Sequence, residues 1–125
     1  MTKTVLIVDD SMLMRKMIRD ALEADGWTVV GEAADGAEAV ELFEEHQPAT
    51  VTLDIVMPIT SGMEALVRIL EIDPEAKVVV VSALNQTKMI SEAIRKGAQD
   101  FIAKPFLPEQ LQHTMMHCVA ECVGV

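Results

Sequence analysis

Val5-Leu6-Ile7-Val8-Asp9-Asp10 is a run of aliphatic residues that stops on two acids. Nothing in the run alternates in polarity, so a strand made from it must be covered on both faces, as in parallel sheets flanked by helices. The design returns three times: Val51-Thr52-Leu53 stops on Asp54, Val78-Val79-Val80-Val81 on Ser82, and Phe101-Ile102-Ala103 on Lys104-Pro105. Parallel strands share a carboxyl edge, and open α/β sheets bind their ligands along that edge. Three carboxylates, a hydroxyl and an ammonium gathered there describe a site for a divalent cation and a phosphoryl group.

Segments with apolar residues at helical spacing separate the runs, which predicts βαβ units around one parallel sheet. Strands are expected near Thr4–Val8, Thr28–Ala33, Thr50–Leu53, Lys77–Val81 and Gln99–Ala103. The first helix begins at Ser11 or Met12, carries Met14, Met17, Ile18, Ala21 and Leu22 on one stripe, and ends at Asp25-Gly26. The second follows Asp35-Gly36, buries Ala39, Leu42 and Phe43, and stops before Pro48. The third follows Ser61-Gly62, turns Met63, Leu66, Val67 and Leu70 inward, and ends at Asp73-Pro74. The fourth spans Gln86 to Lys96 and closes at Gly97. The fifth starts at Pro108, a good first-turn residue, and continues to about Val123, with Leu111, Met115, Cys118 and Cys122 on its core stripe.

A chain of 125 residues has room for one domain, and no linker, repeat or low-complexity stretch interrupts it. A single domain spanning 1–125, with no output domain, is expected. The formal charge of −10 argues against direct binding to nucleic acid or an anionic membrane, both of which need a basic footprint. It suits partners with basic or apolar docking surfaces. Tyr is absent and Met numbers 9, so Met serves as filler in an aliphatic core. Cys118 and Cys122 fit neither a disulfide framework nor a CxxC motif, which implies a reducing compartment. The start is too short in apolar residues for a secretory signal, and no stretch approaches the roughly 18 apolar residues of a membrane span. A cytoplasmic location is expected.

Each site residue has a plain reading and a chemical one; for Asp54, Lys104 and Ser82 the plain readings are a lone turn Asp, a solvated surface Lys and a turn Ser. Asp9-Asp10 can cap the first helix or hold a hard cation, which takes oxygen ligands and keeps some of its waters. Asp54 can be a third ligand or a nucleophile that accepts a phosphoryl group as an acyl phosphate. Lys104 can reach an adjacent carboxylate or phosphate as a point charge. Ser82 offers a hydroxyl to a phosphoryl oxygen. His113 and His117, at i,i+4 spacing, can clamp a transition metal, though a pair of exposed polar histidines is the simpler reading.

Asp9-Asp10, Asp54-Ile55-Val56-Met57-Pro58 with Gly62 following, Ser82-Ala83 and Lys104-Pro105-Phe106 occur in an order and spacing that resembles the receiver domain of two-component response regulators. The resemblance covers the whole chain. Val5 to Lys16 and Asp100 to Phe106 are most similar to the stand-alone chemotaxis members of that family. It implies a doubly wound, flavodoxin-like α/β fold with a five-stranded parallel sheet in the order 2-1-3-4-5, an order taken from the family and not from spacing.

The resemblance also implies a chemistry. Asp54 would be the phosphoacceptor for a phosphohistidine on a sensor histidine kinase. Asp9, Asp10, Asp54 and the backbone carbonyl of Val56 would hold Mg²⁺. Lys104, before a cis Lys104-Pro105 bond, would pair with phosphoryl oxygens. Ser82 would swing toward the phosphoryl group, and Phe101 would rotate into the space Ser82 vacates. The message would leave through the surface of the fourth helix, fifth strand and fifth helix, around Met89, Ile90, Lys96, Phe101 and Phe106. The target would be a flagellar motor switch protein or another phosphorylation-dependent partner, with a phosphatase as a further one, and the chain itself would be a monomer. It would not turn over an external substrate. The alternative within the family is a phosphorelay intermediate that returns its phosphate to a histidine phosphotransfer domain.

Phe101 stands where Tyr is frequent in the family, and Ser82 where Thr is commoner. Val56 and Leu84 are apolar where polar residues often flank the site, so they are expected to shield the acyl phosphate from water. Two rivals fit less well. A phosphatase of the haloacid dehalogenase type also uses a nucleophilic Asp with Mg²⁺ and Lys, but in an Asp-x-Asp motif after its first strand, whereas Asp54 follows the third and has Val56 two residues on. An FMN carrier would need a phosphate-binding loop where Asp9-Asp10 stands.

Overall fold

The computed structural model describes residues 3–57, 61–83 and 85–122. Strands and helices alternate: β1 (Thr4–Val8), α1 (Met12–Ala24), β2 (Thr28–Ala33), α2 (Gly36–His46), β3 (Thr50–Asp54), α3 (Gly62–Ile72), β4 (Lys77–Ala83), α4 (Thr87–Lys96), β5 (Asp100–Lys104) and α5 (Pro108–Cys122). The five strands form one parallel sheet in the order β2-β1-β3-β4-β5. No described helix is long and apolar enough to cross a membrane.

The sheet is covered on both faces because its central strands are apolar on both. Leu6, Val8, Val51, Leu53, Val78 and Val80 face a layer that includes Phe43 of α2, Leu66 and Ile69 of α3 and Ala93 of α4. Val5, Ile7, Val79, Val81 and Ile102 face Ile18 and Leu22 of α1 and Leu111 and Met115 of α5. Successive strand residues alternate between the layers, as the pleat requires. Each fully buried aliphatic side chain contributes about 1.5–3 kcal/mol.

The helix starts are capped as their residues suggest. Ser11 Oγ accepts from Met14 N at 3.2 Å, Asp35 Oδ1 from Glu38 N at 2.9 Å, and Ser61 Oγ from Glu64 N at 3.2 Å. α4 ends at Gly97, whose φ of +119° is open to glycine and costly for other residues.

Several boundaries and stripes differ from the sequence expectation. β3 extends one residue to include Asp54, β4 runs on to Ala83, and β5 is Asp100–Lys104, one residue later than expected. On α1, Ile18, Ala21 and Leu22 are buried and Met14 packs partly against them, but Met17 lies at the edge of the stripe and is 47% exposed. On α3 the buried residues are Gly62, Ala65, Leu66 and Ile69, while Met63 and Leu70 are half-buried against the same layer and Val67 is half-buried too. Gly62 explains the rotation. A Cβ there would stand 2.2 Å from the Asp54 carbonyl oxygen and 2.6 Å from Ile55 Cα. The helix therefore rests its bare first residue on the end of β3, which fixes the face it turns to the sheet. Cys118 is buried as expected; the side chain of Cys122, together with Val123 and Leu84, lies outside the described residues.

Candidate functional site

Register brings the acids together before any side chain is considered. Val8 of β1 pairs with Leu53 of β3, so the next residues, Asp9 and Asp54, lie side by side at the carboxyl edge. Val8 and Leu53 face the α2–α3–α4 layer, so Asp9 and Asp54 turn to the other side. Lys104 follows Ile102, which faces the α1–α5 layer, and shares the face of the two acids. The gap between β1 and β3, where the strand order reverses, is where sheets of this kind bind ligands.

Asp9 is fully buried and held at every polar atom. Its N–H donates to Ala33 O at 3.0 Å, prolonging the ladder past β1. Its Oδ1 accepts from Ser11 N at 2.9 Å and its Oδ2 from Lys104 Nζ at 3.1 Å. Its main-chain carbonyl accepts from Arg15 Nη1 at 2.7 Å. Arg15 is fixed in turn by Glu32 of β2, through Nε to Oε1 at 3.1 Å, and Glu32 also receives Arg19 Nε at 2.7 Å.

Asp54 is 6% exposed; its Oδ1 accepts from Val56 N at 3.1 Å and its Oδ2 from Lys104 Nζ at 3.5 Å. Asp10 is exposed, yet it offers a carboxylate oxygen that lies with those of Asp9 and Asp54 inside 4.8 Å. Lys104 precedes a cis bond to Pro105, as expected.

Burial pushes the Asp54 carboxyl up to about 6, and the charge of Asp9 adds to it; Lys104 and the Val56 N–H oppose the rise. Burial pulls the Lys104 ammonium down, but its hydrogen bond to Asp9 and the charge of Asp54 outweigh this, and its net shift is upward. Two buried carboxylates share one ammonium, so the niche is short of positive charge. Oxygen donors at this spacing suit a hard divalent cation such as Mg²⁺, and the exposure of Asp10 leaves room for the waters such an ion retains.

The remaining predicted residues are placed as follows. Ser82 is buried but faces the opposite layer from Asp54, and its hydroxyl donates to Gln86 Oε1. Phe101 is turned outward, 43% exposed. Val56 is exposed as well. Met89, Ile90 and Phe106 are half-buried, and Lys96, His113 and His117 are exposed. A cavity of about 500 Å³ at the edge of the sheet is lined by Phe101, Ala103, Pro105, Gln110 and His113, separate from the acids.

Sequence reasoning missed Gln86, Arg15 and Glu32. Gln86 stands at a helix start, where Ser or Asp would have drawn notice. Arg15 and Glu32 belong to different elements, and nothing in their spacing marks them as partners.

Comparison with known proteins agrees with this geometry. The response regulator receiver domain family matches residues 5–116. Chemotaxis protein CheY of Thermotoga maritima is 50% identical over 111 residues, covering 89% of this chain and 92% of that protein. CheY of Bacillus subtilis is 47% identical over 111 residues, covering 89% and 92%. Among solved structures, the response regulator domain of Thermotoga maritima CheB superposes with a TM-score of 0.84 at 35% identity, covering 100% of this chain and 98% of that one. A chain of the CheX–CheY–BeF₃–Mg²⁺ complex from Borrelia burgdorferi superposes with a TM-score of 0.84 at 34% identity, covering 98% and 90%. The β2-β1-β3-β4-β5 sheet, the acidic carboxyl edge and these relatives agree: the chain belongs to the response regulator receiver domain family of two-component signalling, and is CheY-like within it.

Proposed function

We propose that the chain is a phosphorylation-activated response regulator of a chemotaxis system, with Asp54 as phosphoacceptor. The observation that carries this is the meeting of Asp9, Asp10 and Asp54 inside 4.8 Å, with Lys104 Nζ against both Asp9 and Asp54. A carboxylate oxygen of Asp54 attacks the phosphorus of a sensor kinase's phosphohistidine. The phosphorus–oxygen bond forms as the phosphorus–nitrogen bond breaks, and the electron pair leaves with the imidazole nitrogen. Asp9, Asp10, Asp54 and the Val56 carbonyl would hold Mg²⁺, which would supply charge neutralisation between phosphoryl oxygens and the acids. Lys104 turns from the bare carboxylates to the phosphoryl oxygens, and Ser82 adds its hydroxyl.

Phosphorylation adds charge and acceptor oxygens at Asp54, which biases the ends of β4 and β5 between two arrangements. Phe101 turns inward as Ser82 moves, and the α4-β5-α5 surface becomes the docking face for a flagellar motor switch protein. A phosphatase ends the signal; the similar chain from Borrelia burgdorferi is solved bound to a protein, CheX, which supports a protein partner for this fold. The chain acts as a monomer in the cytoplasm and does not turn over external substrates.

Incubation with Mg²⁺ and a small acyl phosphate donor, followed by intact mass, tests the chemistry. A phosphate-sized adduct that Asp54→Asn abolishes supports the reading; an adduct that persists in that variant overturns it. Phosphorylation-dependent binding to a motor switch protein supports the output assigned here. Reversible transfer to a histidine phosphotransfer domain would instead make the chain a relay intermediate.

A further inference from the structure

Resting on the reading that Asp54 carries the phosphoryl group, we infer that Gln86 is a positioning residue that latches the Ser82 hydroxyl away from the site until the phosphoryl group draws it over. The Ser82 hydroxyl donates to Gln86 Oε1, and the same oxygen accepts from Ala83 N at 2.9 Å. The Gln86 N–H in turn donates to Ala83 O at 3.1 Å. Side chain and main chain of Gln86 thus both close back on the end of β4.

Three features make this contact a latch and not an incidental bond. Ser82 is 1% exposed, and a buried hydroxyl is costly without a partner, so leaving Gln86 is favourable only when another acceptor is on offer. The pleat sets Ser82 on the opposite face from Asp54, since Val81 pairs with Asp54 and Ser82 with Ala103. The hydroxyl therefore cannot serve Gln86 and a phosphoryl oxygen on Asp54 together. Finally, Gln86 is the residue that opens α4, yet its side chain makes no capping bond to that helix. It is turned toward β4, with Ala83 N–H holding the acceptor oxygen in place.

The latch also explains how the switch reaches the output face. Gln86 heads α4, and its carbonyl accepts from Ile90 N at 3.0 Å. When Ser82 leaves, Gln86 loses its hydroxyl donor at the point where α4 joins the sheet. Met89 and Ile90, in the opening turns of that helix, lie directly downstream.

The test uses beryllofluoride with Mg²⁺, a stable mimic of the phosphoryl group, and measures its apparent affinity by titration calorimetry. An occupied latch lowers the population ready to bind, so removing its acceptor tightens apparent binding. Gln86→Met is expected to tighten it by about five- to tenfold, the worth of one net hydrogen bond, and Gln86→Ala should act in the same direction. In a Ser82→Ala background there is no hydroxyl to hold, and Gln86→Met should change affinity by less than about twofold. Equal tightening in both backgrounds would show that Gln86 acts on loop structure alone and would overturn the latch. So would an affinity left unchanged by Gln86→Met with Ser82 in place, when the wild-type chain binds beryllofluoride and takes phosphate from an acyl donor. A wild-type chain that neither binds beryllofluoride nor gains phosphate would remove the underlying reading, and the latch with it.

Discussion

Lys104 Nζ stands 3.1 Å from Asp9 Oδ2, a contact that spans 95 positions of chain and ties the end of β5 to the end of β1. The strands are not neighbours, since β3 and β4 lie between them. One long cationic side chain therefore reaches across the carboxyl edge and offsets repulsion that would otherwise push the acids apart.

Lys104→Met should act in opposite directions on folding and on metal binding. Without metal, the loss of a partly buried counterion leaves two carboxylates uncompensated and costs about 1–3 kcal/mol of stability. Mg²⁺ affinity should rise about threefold to tenfold, because Lys104 no longer competes for Asp9 and Asp54. Chemical denaturation in chelator and calorimetry with Mg²⁺ measure the two effects separately.

The metal-free protein should lose stability as pH rises from about 4 through about 6. The folded Asp54 titrates at about 6 against an ordinary 3.8, so the native state retains a proton that the unfolded state has released. Protons favour the native state across that window, and the full cost of ionising Asp54 is present above it. With water reaching the niche beside Asp10, the cost is about 1–3 kcal/mol. Denaturation in chelator across this pH range should show the decline, and Asp54→Asn should remove it and be the more stable protein at pH 7.

Gly62→Ala should destabilise far more than Gly31→Ala. The added methyl at position 62 meets backbone at 2.2 Å, which cannot yield as a side chain would, whereas at position 31 the nearest atoms are Leu42 and Leu6 methyls at 3.5 Å. The expected costs are about 3 kcal/mol and less than about 1 kcal/mol. Equal melting temperatures for the two variants would contradict the close approach of α3 to β3.

Arg15→Ala should weaken Mg²⁺ binding more than it lowers stability. Arg15 fixes the Asp9 carbonyl at 2.7 Å and is itself anchored by Glu32, so its loss frees the loop that aims the Asp9 carboxylate. A metal affinity lower by about tenfold is expected, in line with supporting residues around metal sites. Glu32→Gln, which keeps an acceptor, should lose less.

Much of this is visible in the chain before folding. Strand runs ending on Asp9, Asp54, Ser82 and Lys104 announce both the sheet and its functional edge, because continuous apolar runs fit a doubly covered parallel sheet and polar termini must then gather at one end. The face of α3 was not legible, because it is set by how closely Gly62 approaches the Ile55 backbone, a tertiary fact without a periodic signal. Met17 sits one position off the stripe that α5 covers, a distinction finer than helical spacing resolves. Gln86 was missed because its partner is a side chain that sequence reasoning had reserved for the phosphoryl group.

One ion held by acids from two strand ends is the centre of the proposed chemistry, and Mg²⁺ titration calorimetry measures its binding directly. One Mg²⁺ per chain is expected, with affinity falling by about tenfold or more in Asp10→Asn and again in Asp54→Asn. Heats of binding unchanged by either substitution would contradict it.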